Sequence, residues 1–370
     1  MPELGPDTLK QLASQTGFPR VTIHTPMVRA GAEVRQNRIR LGNAASEAIA
    51  QLVKLGVQER EATGLLQPVV DLAEDEARME HQNSGLSLFV DDAGYESIGV
   101  PLELSTRIEV GNRYSIAPLT EPAVNNAEYA LLTLSLGGAG LYRCTRFTAE
   151  YVELDLPEDL CYVLRYDVYE KSGHVHTASA RGDSMHHGHG LGKDEHDAFV
   201  KRFVDAVRSK VTAWLERNPV PLVLIGSEDV LGLYRKENTY AETVEQHRTV
   251  DPHSLDLDGL IDLGWECMRP SFQQRTADAL NRFHAADHTA VDVYSVLPAV
   301  TEGRAATVFV DPNQEVRGSF DAPNGAVHVD PEGGQVTENL VDTVIAHALA
   351  MGVEIVPVSG EIRTPAAILH

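Results

Sequence analysis

Residues 130–146, ALLTLSLGGAGLYRCTR, form an apolar run broken by Gly137-Gly138 and resumed as a second short run. TAEYVELDL (148–156) follows at once. Short strands punctuated by glycine read as an antiparallel meander. Downstream, residues 171–196 are irregular and rich in Gly, Ser and His. Residues 197–217 then give the clearest helix of the chain. Phe199, Val200, Phe203, Val204, Val207, Val211, Trp214 and Leu215 recur at i, i+3, i+4 spacing, the period of a helix with one buried stripe. Asp194 can cap its start, and Asn218-Pro219 stops it. PLVLIG (221–226) is short and wholly apolar, as suits a strand covered on both faces. The spacing predicts a mixed sheet with helices packed on it.

Working outward, residues 19–26 (PRVTIHTP) predict a short strand, and helices are expected over about 43–55 and 58–80. Leu65, Leu66, Val69, Val70 and Leu72 lie close to helical period in the second. A strand at 86–90 and the acidic turn Asp91-Asp92-Ala93-Gly94 come next, and the block is expected to end at the proline-rich 118–122. Beyond the middle block, a helix over about 271–284 leads into a third unit. Its elements are a strand at 305–310 (AATVFV), a hairpin turning at Asn324-Gly325, a helix over 339–351 and the strand VEIVPV. The fold class is α/β, with expected domains at 1–124, 125–268 and 269–370, in keeping with a length of 370 residues.

Apolar residues make up 43% and charged residues 23% of the chain, the balance of a globular protein. No window approaches the roughly 18 apolar residues of a membrane span, and the first residues lack a basic stretch followed by an apolar core. Cys144, Cys161 and Cys267 are scattered and outside any C-x-x-C pair, which points to a reducing compartment, the cytoplasm. Lys and Arg total 31 against 54 Asp and Glu, a formal net charge of −23. Broad, non-specific gripping of a nucleic acid backbone is disfavoured by that sum. A local basic patch is compatible with it, because net charge does not say where charges sit.

The order of meander, Gly/His loop, amphipathic helix and strand ending in Gly-Ser-x-Asp resembles the middle domain of the archaeo-eukaryotic class-I release factors and the Pelota proteins. The residues that carry it are ALLTLSLGGAGLYRCTR (130–146), HGHGLGKDEHDAFVKRFVDAV (187–207) and PLVLIGSEDVLGLYRK (221–236). GRAATVFVDP (303–312) and MGVEIVPVSG (351–360) resemble the third domain of those factors. VTIHTP (21–26), QNRIRLGNAASEA (36–48) and NSGLSLFVDDAG (83–94) resemble the first domain of the bacterial branch of the superfamily. The resemblance implies an RNase H-like middle domain, a C-terminal α/β sandwich of the kink-turn-binding ribosomal-protein type, and a ribosome or tRNA as partner.

Family members that release peptides carry Gly-Gly-Gln in the loop ahead of the long helix, where it helps water attack the peptidyl-tRNA ester. Glycines allow backbone shapes closed to other residues, and positioned backbone and amide groups polarise the ester. Here Gly190-Leu191-Gly192 stands in that position. The resemblance sets Gly190 and Gly192 at the catalytic loop; if the loop is hydrolytic, His187 or His189 beside them would assist proton transfer, and Gly188, Lys193, Lys201 and Arg202 are the candidate binding residues. The family glutamine is missing. A literal Gly-Gly-Gln occurs at Gly333-Gly334-Gln335, in the third unit, where the family has no catalytic loop. The codon-reading Asn-Ile-Lys-Ser is absent.

His174, His176, His186, His187, His189 and His196 crowd one segment, and imidazoles bind zinc, copper or nickel. A polar glycine-rich loop accounts for them more simply, so no metal is assigned and metal binding through this loop stands as the weaker alternative. His189, Lys193 and the helix start could meet phosphate, against Asp194, Glu195 and Asp197. Gly226-Ser227-Glu228-Asp229 reads as a tight exit turn with Ser or Asp capping the next segment, or as a ligand loop at a strand end. No nucleotide fingerprint or G-x-S-x-G is present, and no cofactor is expected.

Overall fold

A computed structural model describes residues 4–29, 32–79, 83–157, 193–330 and 338–370. Contacts divide the chain into two compact units, Met1–Asn126 with Gln273–His370, and Ala127–Phe272. The fold is multi-domain α/β.

The first unit begins with α1 (Pro6–Ser14) and β1 (Thr16–Pro26), followed by α2 (Arg35–Lys54), α3 (Glu59–Glu74) and the short α4 (Glu76–Met79). Strands β2 (Gly85–Asp91), β3 (Gly94–Val100) and β4 (Arg107–Arg113) complete an antiparallel sheet of order β3-β2-β1-β4, and α5 (Ala117–Val124) follows. Val21 and Ile23 of β1 join Leu41, Leu52, Leu66 and Val69 of α2 and α3 in one core. The alternate residues Thr22 and His24 are buried among polar partners. His24 Nδ1 lies 2.8 Å from Ser87 Oγ and Nε2 lies 3.2 Å from the Ser115 carbonyl oxygen. Burial lowers the His24 pKa to about 4.

Boundaries here correct the sequence reading. The helix expected from 43 starts at Arg35, and the one expected to run to 80 breaks at Asp75. The prolines at 118 and 122 sit inside α5, the last element before the first segment of this unit ends at Asn126. Pro118 occupies the first turn, where its missing N–H has no helical partner to lose.

The second unit opens with the hairpin β5 (Tyr129–Ser135) and β6 (Gly138–Cys144), then β7 (Ala149–Tyr151). Of the strand expected over 148–156, only those three residues pair as strand. After α6 (Lys193–Leu215) come β8 (Leu222–Gly226), α7 (Glu228–Glu237), β9 (Thr243–Thr249) and the long α8 (Leu257–Ala285). The sheet order is β7-β6-β5-β8-β9, with β5, β8 and β9 parallel. Leu132, Leu134 and Leu224 pack under Phe203, Val207 and Val211 of α6. Leu131, Val223 and Ile225 face Leu260, Cys267 and Met268 of α8. Both faces of β5 and β8 are thus covered, which is why these strands read as unbroken apolar runs. The helix expected from 271 begins at Leu257, with Pro270 in its interior. One lost backbone bond does not end a helix whose earlier turns bury Leu260, Cys267 and Met268.

From Gln273 onward the chain returns to the first unit with β10 (Thr289–Val291), α9 (Val293–Thr301), β11 (Ala305–Val310) and the β12–β13 hairpin (Arg317–Asp321, Ala326–Val329). Next come β14 (Glu338–Asn339), α10 (Leu340–Met351), β15 (Glu354–Pro357) and β16 (Ala366–Leu369). One sheet has the order β10-β16-β11-β15, the other β13-β12-β14. The expected strand at 305–310, the hairpin turn with Gly325 at φ 64° and the helix ending at Met351 are all present.

The two chain segments of this unit meet through buried charges. Arg317 pairs with Glu109 at 2.6 Å and also with Glu315, and Arg113 pairs with Glu338 at 3.4 Å. The fully buried Asp342 Oδ1 accepts the N–H groups of Ile116 (2.7 Å) and Ala117 (2.6 Å) at the start of α5. Burial pushes Glu109 up to about 7 against the pull of Arg317, with Glu315 and Asp342 adding to the rise.

Candidate functional site

The carboxyl edge of the second unit's sheet is where β5, β8 and β9 all end, the edge at which open α/β sheets receive ligands. Its turns are tightly tied. Ser227 N donates to the Leu134 carbonyl at 2.9 Å, and Val250 N to the Gly226 carbonyl at 3.0 Å. A Cβ at Gly226 would stand 2.3 Å from Leu134 O, so no larger residue fits without moving the strand. Ser227 takes the N-cap place of α7 in extended backbone but its hydroxyl makes no capping bond, unlike the reading of Gly226–Asp229 as a side-chain cap.

Ser135 Oγ lies 3.1 Å from His253 Nε2 and accepts the Gly137 N–H at 3.1 Å. Serine and histidine at this distance can form a nucleophile–base pair. Here the serine is 6% exposed and bound within its own turn. Asp251 accepts the backbone N–H of His253 at 3.1 Å rather than orienting its ring. The arrangement staples the β5–β6 turn to the segment after β9, and no activated nucleophile results.

Helix α6 enters β8 through residues 216–221 and runs against the strand, so its start lies at this same edge. Val200 is the first buried residue described along it. The seven residues from Lys193 to Phe199 amount to roughly 10 Å of helix before that point. Lys201 and Arg202 follow in the next turn and are exposed, with the Arg202 guanidinium 5.7 Å from the Phe199 ring centroid. Further along, Arg208 is 3.2 Å from Asp205, and Lys210 pairs with Asp155. Asp194 lies inside α6, not at its cap, because the helix begins one residue before it.

Of the residues named from the sequence, Lys201 and Arg202 come together on α6 and Lys193 is its first residue. His187, Gly188, His189, Gly190 and Gly192 lie outside the described residues, as do Gly333-Gly334-Gln335. So do His174, His176 and His186 of the histidine cluster. Among the described residues no group of three or more His, Cys, Asp or Glu side chains is placed to hold a metal ion, and no helix is long and apolar enough to cross a membrane.

A mixed sheet with helices on both faces, and a long helix starting at its carboxyl edge, defines a release-factor-like middle domain once set beside a family model. Residues 129–270 match the model of bacterial archaeo-eukaryotic release factor family 7, so this domain is similar to that family. Solved structures similar to the chain include an archaeal translation termination factor, aRF1 (11% identity, TM-score 0.26, covering 99% of this chain and 98% of that one). Archaeoglobus fulgidus Pelota aligns at 10% identity and TM-score 0.34 over 100% and 93% of the two chains. A model of ribosome-bound archaeal Pelota and ABCE1 aligns at 11% identity and TM-score 0.32 over 100% and 95%. No curated protein matches the chain.

Proposed function

We propose that this protein is a translation-associated, release-factor-like factor that docks on the ribosome or tRNA. It presents the Gly/His segment ahead of α6 toward the peptidyl end of peptidyl-tRNA. The observation that carries the reading is the family match over residues 129–270, together with a long helix that starts at the sheet's ligand-receiving edge. In this reading the chain works in three parts, 1–124, 125–268 and 269–370. Backbone around Gly190 and Gly192 orients the attacking water, His187 or His189 assists proton transfer, and Gly188, Lys193, Lys201 and Arg202 contact RNA phosphate. Lys201 and Arg202 supply the local positive charge that a chain of net −23 needs for that contact.

A second reading is favoured by one observation, the Gly190-Leu191-Gly192 sequence where the family has Gly-Gly-Gln. On it the protein keeps the scaffold and the docking but not the ester chemistry. Hydrolysis of peptidyl-tRNA on stalled ribosomes, compared between wild type and a Gly190→Val/Gly192→Val double variant, separates the two. Release lost in the variant supports hydrolysis; equal background release from both leaves only docking. Co-sedimentation with ribosomes across a salt series tests docking itself, and absence of pelleting at low salt overturns both readings.

A further inference from the structure

Strand β4 ends at Arg113 and α5 begins at Ala117, and Tyr114, Ser115 and Ile116 carry the chain between them. Hydrogen bonds pin this link on both sides. The Ser115 N–H donates to Thr22 Oγ1 at 2.9 Å, and the Ser115 carbonyl oxygen lies 3.2 Å from His24 Nε2. Ile116 N and Ala117 N then donate to Asp342 Oδ1 of α10. With its backbone held in this way, Ser115 is 3% exposed and its side chain stays inside.

The Ser115 hydroxyl has one proton to donate and two lone pairs to offer, yet its Oγ makes no hydrogen bond among the described residues. Such orphaned polar atoms are rare in a protein interior, because nothing offsets their loss of hydration. The hydroxyl stands near enough to the Asp342 carboxyl to favour its charged form, against the upward push of burial. Asp342 uses Oδ1 for both backbone N–H groups, which leaves the lone pairs of Oδ2 to be met. A cavity of about 10 Å³ adjoins these groups, with Ser115, Asp342, Glu109, Glu338, Arg113 and Arg317 in its lining. That is about the space one water takes up, and all of its walls belong to the first compact unit.

We infer that this cavity binds one ordered water, which bridges the Ser115 hydroxyl to the Asp342 carboxylate. Where two buried polar groups face each other without a direct bond, a water between them can meet both. Here it donates to Asp342 and exchanges a second hydrogen bond with Ser115 Oγ, and the flanking guanidinium and carboxyl groups offer it a third. A larger ligand does not fit. An anion would meet three carboxyl groups against two guanidiniums. Among the described residues no group of three or more His, Cys, Asp or Glu side chains is placed to hold a metal ion. The water thus joins Ser115 of the first chain segment to Asp342 of the second, beside the direct bonds from Ile116 and Ala117.

Crystals of the full chain grown from a rubidium salt test the inference at high resolution. One density peak is expected within about 3.2 Å of both Ser115 Oγ and Asp342 Oδ2, with no anomalous signal from rubidium. Crystals of S115A should lose or weaken that peak. An empty cavity, a direct bond from Ser115 to Asp342 in place of the peak, an anomalous signal marking an alkali cation, or a peak unchanged in S115A each overturns the proposal. Urea denaturation gives an independent arm in solution. A hydroxyl bonded to water has partners to lose, so S115A should lower the midpoint. Truncating an orphaned hydroxyl would instead leave the midpoint unchanged or raise it, and that result also overturns the proposal.

Discussion

Arg317 holds Glu109 at 2.6 Å across 208 residues of chain, joining the strand β4 to the hairpin strand β12 inside one compact unit. Glu315 shares the same guanidinium. Removing the arginine takes the nearest guanidinium from a carboxyl that is 8% exposed and leaves Arg107 at 3.8 Å. Arg317→Met is therefore expected to cost about 1–2 kcal/mol of stability, because a buried hydrogen-bonded partner is lost while the carboxyl, raised to about 7, can take up a proton. Urea denaturation at neutral pH reads this directly. Glu109→Gln, which leaves no orphaned anion, should cost less.

The same pair sets a pH dependence. The Glu109 carboxyl is raised from 4.5 to about 7 in the folded protein, so the folded state holds this proton more tightly than the unfolded one. Its contribution is full below pH 4.5 and is lost as pH rises through about 7. Denaturation midpoints of wild type relative to E109Q should fall across that window; a flat difference would show that Glu109 does not titrate there.

His24 acts with the opposite sign. Its pKa is lowered by burial from 6.5 to about 4, so the folded state resists protonation. The stability that goes with the neutral ring is present above pH 6.5 and lost as pH falls through about 4. Substituting glutamine for His24 should remove this acid-side slope while weakening the Ser87 and Ser115 contacts, and melting curves in buffers across the range would record both.

Asp342 caps α5 from a helix more than two hundred residues away. Asp342→Ala leaves two buried N–H groups without their acceptor, a loss of about 2 kcal/mol or more. Asp342→Asn keeps an acceptor and should recover most of it. Hydrogen exchange at Ile116 and Ala117 should quicken in the alanine variant alone.

At the edge proposed to face RNA, Lys201→Glu/Arg202→Glu should reduce ribosome co-sedimentation and flatten its salt dependence, since fewer phosphate contacts release fewer counterions. Both positions are exposed, so melting temperature should stay within a few degrees. Unchanged pelleting would remove these residues from the interface.

Periodicity by itself determined the second unit's layout. Leu131 and Leu132, Val223 and Leu224 face opposite helical layers, and a strand buried on both sides must read as an unbroken apolar run. The stripe Val200–Leu215 likewise named its helix, and Asn324-Gly325 its turn, because these signals arise from neighbours a few residues apart. Lys201 and Arg202, proposed as binding residues from the sequence, are exposed on α6. What sequence could not yield were pairings between distant segments. The short polar strands β3, β4 and β9 are strands because their partners hydrogen-bond to them, and Leu257–Phe272 stays helical through Pro270 because a sheet lies beneath it. The joining of Arg317 to Glu109 and of Asp342 to α5 was decided only by tertiary structure. Charge and hydrogen-bond complementarity over such separations leaves no periodic trace along the chain.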